Sequence, residues 1–105
     1  MAYDLVVGAS PLVKDASIFV SSIEFSSYPA LCSLHKRNSG TFFTKLMDQF
    51  SDATFNLAEL SAAQNSLFEL MLQDINAKEL AIVYQLISAV SYALHVQQPM
   101  HGVAD

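Results

Sequence analysis

The sequence predicts an α+β fold, with short N-terminal antiparallel strands packed against three or four helices and the C-terminal helix central and most buried. Three observations lead there. Apolar residues alternate near the N-terminus, the period lengthens to three and four from residue 41 onward, and two Asn-x-x-Glu arrangements sit where helices should begin. The 105 residues suit a single domain, 1–105. With 52% hydrophobic and 14% charged residues, the composition is that of a chain that folds around a core.

Tyr3, Leu5 and Val7 share one side of an extended segment, opposite Asp4, Val6 and Gly8, which predicts a first strand that ends at Gly8–Pro11. The run from Ser17 to Ser26 is rich in β-branched and aromatic residues and puts Phe19, Ile23 and Phe25 on one side. It reads as a second strand, antiparallel to the first. Pro29 suits the first position of a helix that runs through Arg37, and Asn38-Ser39-Gly40 is a turn. From Thr41 to Ser51, Phe43, Leu46, Met47 and Phe50 recur at helical spacing, away from Lys45, Asp48 and Asp52.

Asn56-Leu57-Ala58-Glu59 has the form of a capping box, in which Asn accepts from the N3 amide and Glu reaches back. It starts a helix at Leu57. That helix carries Leu60, Ala63, Leu67, Leu70 and Met71 as its apolar stripe and Glu59, Ser66, Glu69 and Gln73 as its polar one, and should stop around Asp74 or Ile75. A second box, Asn76-Ala77-Lys78-Glu79, opens a helix that extends to about Gln97. Its polar residues Lys78, Gln85, Ser88, Tyr92 and His95 occupy one narrow ridge, so most of its circumference should be buried. Gln98-Pro99 ends it, and residues 98–105 read as a mobile tail. Leu80 to Ala104 contains no Asp, Glu, Lys or Arg. Its interior Gln, Ser and His residues nevertheless shorten the apolar part below a bilayer span, so no membrane association is expected.

Five Lys and Arg against ten Asp and Glu give a net charge of −5 and a pI near 4.9, which excludes a nucleic-acid binder with the usual basic footprint. The single cysteine, Cys32, cannot close an internal disulfide. With no charged lead and apolar h-region at the N-terminus, this points to the cytoplasm. The phosphate-loop, dinucleotide, zinc-protease and nucleophile-elbow motifs are absent from the sequence. Cys32 and His35 at i and i+3 offer a thiol and an imidazole, but no further residues complete a metal or covalent site. They read as a partly buried Cys beside a surface His.

His95 reads as a donor at a helix C-terminus and His101 as part of the solvated tail. Asp48 and Asp52 at i, i+4 supply too few oxygens for calcium. No catalytic residue, metal or cofactor is therefore assigned. What remains is collective: Asp48, Asp52, Glu59, Glu69 and Asp74 lie in a segment without Lys or Arg and account for the whole net charge. They form the candidate protein-binding set, for which the bland alternative is ordinary solubilising charge.

Phe55-Asn56-Leu57-Ala58-Glu59-Leu60 opening a helix with Leu67, Glu69 and Leu70, followed by Leu86-Ile87 and Ala93 in a closing helix, resembles small bacterial immunity proteins. These neutralise contact-dependent growth-inhibition or other polymorphic toxins. The resemblance covers roughly the C-terminal half of the chain. It implies a cytoplasmic, acidic, non-catalytic protein whose partner is a cognate toxin, often a basic nuclease, blocked at its active site. Seven Phe in a chain of low charge also suggest an alternative, a self-associating structural or assembly protein that forms homo-oligomers. A small enzyme using Cys32 with His35 is the third reading.

Overall fold

Alternation at the N-terminus becomes strand β1, Ala2–Val7, in a computed structural model that describes residues 2–12, 17–48 and 52–104. Tyr3, Leu5 and Val7 point into the core, while Val6 is buried on the opposite face of the sheet. β2, Ile18–Glu24, runs antiparallel to β1 from Ala2↔Glu24 to Val7↔Ile18. Its register slips between Leu5 and Val6, leaving Val20 as the extra residue of a β-bulge. The bulge corrects the expectation that Phe19, Ile23 and Phe25 share a face, because one inserted residue shifts the alternation. Ile23 is fully buried, Phe19 faces the other way beside Val6, and Phe25 has left the strand for a 3-10 turn, Phe25–Ser27.

The expected helices follow. α1, Tyr28–Arg37, has proline in its first turn and His35, Lys36 and Arg37 in its last, where positive charge suits the helix dipole. α2, Thr41–Met47, is shorter than expected and buries Phe42, Phe43 and Leu46; Phe50 lies outside the described residues. The Phe42 ring meets Phe43 edge-on at 5.5 Å and Phe55 at 5.2 Å.

α3, Leu57–Met71, and α4, Ala77–Val96, both open with complete capping boxes. In each, the asparagine Oδ1 accepts from the glutamate N–H at 2.8 Å, and the glutamate accepts in return at 3.1 Å in α3 and 3.0 Å in α4. α3 stops at Met71, earlier than expected, because Leu72 and Gln73 donate to Glu69 and Leu70 in a tightened final turn. α4 ends on Gln97 in the left-handed region (φ 56°), with Gln98 N–H donating to Ala93 O.

Seven residues of α4 are buried, against four of α3, three of α2 and two of α1, so α4 supplies more of the core than any other helix. It packs on α3, α1 and the sheet. By length and composition it could cross a membrane; in this fold its apolar face is core.

The reading of 98–105 as a tail is overturned. Met100–Ala104 is strand β4, and with β3, Ala53–Phe55, it completes a four-stranded antiparallel sheet of order β2-β1-β4-β3. β4 lies between β1 (Tyr3↔Ala104 to Val7↔Met100) and β3 (Ala53↔Gly102 to Phe55↔Met100). Met100 is fully buried, and Gly102 leaves space that a Cβ would take from the Tyr3 ring. Asp105 lies outside the described residues.

Candidate functional site

Lys45, in the last turn of α2, organises part of the acidic set. Its Nζ lies 2.6 Å from Glu59 Oε2, donates to Thr54 O at 2.8 Å and sits 5.3 Å above the Phe55 ring. The bond from Lys45 holds the Glu59 carboxyl below its usual range, burial opposes this, and the Asn56 N–H adds to the lowering. Glu59 is thus both the capping residue of α3 and the partner of α2, which joins the two helices electrostatically.

Asp52 Oδ1 accepts from Ala104 N–H at 2.8 Å, so its side chain bonds β4 just beyond the last β3 pair. Asp48 caps the end of α2. Both carboxylates bear on Tyr3, whose hydroxyl is pushed up to about 12 by burial first, then by Asp52 and Asp48. An open cavity of about 330 Å3 lies between Asp48, Asp52, Lys45 and Thr54.

Glu69 and Asp74 stand elsewhere. Ten residues of helix put Glu69 roughly 15 Å along the axis from Glu59. Asp74 is exposed in the α3–α4 turn. The structure therefore divides the five carboxylates into Asp48, Asp52 and Glu59 around Lys45, and Glu69 with Asp74 at the far end of α3. At that far end Phe68 is 50% and Leu72 88% exposed, and with Asn65, Glu69 and Met71 they line a shallow cavity of about 540 Å3. Phe68 and the C-cap residue Leu72, four residues apart on the exposed flank of α3 beyond Met71, are the surface residues that sequence reasoning missed. Their spacing was the available signal.

Nearby, Arg37 bonds the buried Glu79 at 3.1 Å and reaches Gln73 at 3.5 Å, tying α1 to the start of α4 and the turn before it.

Cys32 is half-buried and neighbours Tyr28, whose hydroxyl is raised chiefly by the negative charge of a Cys32 thiolate, with smaller contributions from burial, the hydrogen bond to Cys32 and Asp48. His35 lies 3.4 Å from Thr44 Oγ1. His95 is exposed in the last turn of α4. His101 is not solvated, as the tail reading required, but buried. Its Nε2 lies 2.9 Å from Gly8 O and its Nδ1 3.0 Å from Thr54 Oγ1. A carbonyl only accepts, so Nε2 carries the proton, and in the neutral ring the Thr54 hydroxyl donates to Nδ1. Among the described residues, no group of three or more His, Cys, Asp and Glu side chains could hold a metal ion.

Fold and surface together define a small α+β protein with a divided acidic surface and an exposed apolar spot at the end of α3. Comparison with protein-family models, curated proteins and solved structures finds no match to this chain.

Proposed function

We propose that this chain is a small acidic, cytoplasmic protein-binding module, an immunity protein that binds a cognate toxin and inhibits it by occluding its active site. The observation that carries the reading is the pairing of exposed Phe68 and Leu72 with the carboxylates of Glu69 and Asp74. Apolar anchors surrounded by charge are how protein interfaces combine affinity with steering. On a basic nuclease the carboxylates would occupy the positions of substrate phosphates, and the apolar pair would exclude water. The action is stoichiometric, without turnover or cofactor. The net charge of −5 supports it by speeding the approach of a basic partner.

The test starts with low-salt capture of the basic partner by the tagged chain from its native cytoplasm, followed by titration of the captured protein. A 1:1 complex that silences the partner's activity is expected. Glu69→Lys with Asp74→Lys should slow association about tenfold and flatten its salt dependence, and Leu72→Ala should speed dissociation. Recovery of the chain alone, or association indifferent to the charge reversal, overturns the reading. The self-assembling alternative has exposed Ile18 and Phe19 on β2 in its favour, and a mass that stays monomeric at every concentration excludes it.

A further inference from the structure

Both edges of the sheet carry outward-facing backbone groups, and the register identifies their owners. Ala104 N–H bonds Asp52 on the β3 side, while Gly8 N–H reaches Pro99 O. Even-numbered residues of β4 therefore turn toward β3, and even-numbered residues of β1 turn toward β4. Backbone direction alternates along an antiparallel ladder. Tyr3 and Leu5 then turn toward β2, Asp4 turns away from it, and Ser22, the partner of Asp4, turns its N–H and C=O out of the sheet. At the other edge Thr54, opposite His101, does the same.

Each of these outward carbonyls is taken by a long side chain from a helix. Lys45 of α2 donates to Thr54 O at 2.8 Å, and Gln85 of α4 donates to Ser22 O while also reaching Ser21 Oγ at 2.6 Å. The two edges are otherwise unequal. β3 has three residues, too few to template much pairing. β2 has seven residues, contains no Lys, Arg or Pro, and shows Ile18 and Phe19 at 50% and 57% exposure, features that invite another strand. The Val20 bulge disturbs the Ile18 end and the exposed Glu24 puts a charge at the other, which leaves the outward carbonyl of Ser22 between them to Gln85.

We propose that Gln85 is a guard that keeps β2 from pairing, edge to edge, with β2 of a second copy of this chain. The inference does not depend on the proposed function. It is tested by the mass in solution of wild type, Gln85→Ala and Gln85→Met across about a hundredfold range of concentration, with circular dichroism to report the fold. Wild type should stay at the 11.5 kDa monomer. Both variants should form a dimer with a dissociation constant at least about tenfold lower, equivalent to about 1.4 kcal/mol. Adding Ser22→Pro removes the outward N–H while leaving the backbone ladder to β1 in place, at the loss of the 3.0 Å bond from Ser22 Oγ to Asp4 Oδ1, and should restore the monomer. A dimeric wild type, folded variants that stay monomeric, dimerisation of Gln85→Ala but not Gln85→Met, or a dimer that survives Ser22→Pro each overturns the proposal.

Discussion

At residue scale Gly102 of β4 lies hard against Tyr3 of β1. A methyl group at 102 would overlap the Tyr3 ring, which is 1% exposed and cannot swing into solvent without opening the core. Gly102→Ala should therefore cost about 3 kcal/mol in urea unfolding, the upper end of the range for overpacking a filled site. The Tyr3 hydroxyl also makes stability depend on alkaline pH. In the unfolded chain it ionises near 10.0 and in the fold at about 12, so between those values the unfolded state holds fewer protons. Stability is full below pH 10 and declines toward pH 12, by roughly 2 to 3 kcal/mol for this group. Unfolding of wild type and Tyr3→Phe across that window should show a shallower decline in the variant; equal slopes would remove the role assigned to the hydroxyl.

At the scale of elements, what was legible in the sequence was local. Asn56 with Glu59, and Asn76 with Glu79, mark helix starts through bonds made within four residues, and both helices begin where those residues put them. Phe19 was misplaced because a bulge depends on the partner strand. β4 was missed because His101 and Gly102 have little strand propensity of their own and are held by Gly8, Thr54 and Tyr3. Within the candidate site, surface position was readable from helical spacing, whereas the gathering of Asp48, Asp52 and Glu59 around Lys45 was not, since it requires α2, β3 and α3 to be assembled. The status of β4 has a direct test. A chain stopped after Gln97 would keep its fold if residues 98–105 were a tail; with β3 left unpaired and β1 held by β2 alone, it should lose cooperative unfolding and near-ultraviolet circular dichroism.

For the whole molecule the sheet order sets the difficulty of folding. Tyr3 pairs with Ala104, so the central ladder joins residues separated by nearly the full chain, and such closures are slow compared with helix formation. Refolding from urea should accordingly be measured in milliseconds to seconds, with helical signal appearing no later than the burial of Tyr3, for which tyrosine fluorescence is the probe in a variant with Tyr28, Tyr84 and Tyr92 replaced by Phe. A microsecond single phase would contradict this account.

The position of β4 has a further consequence during synthesis. The β1–β2 hairpin and β3 emerge from the ribosome before α3 and α4, while the strand that unites them is translated after all four helices. Until then the nascent chain carries an open slot with a bare edge on either side, the condition in which intermediates aggregate. Arrival of Met100–Ala104, rather than formation of any single helix, is the event that closes the sheet.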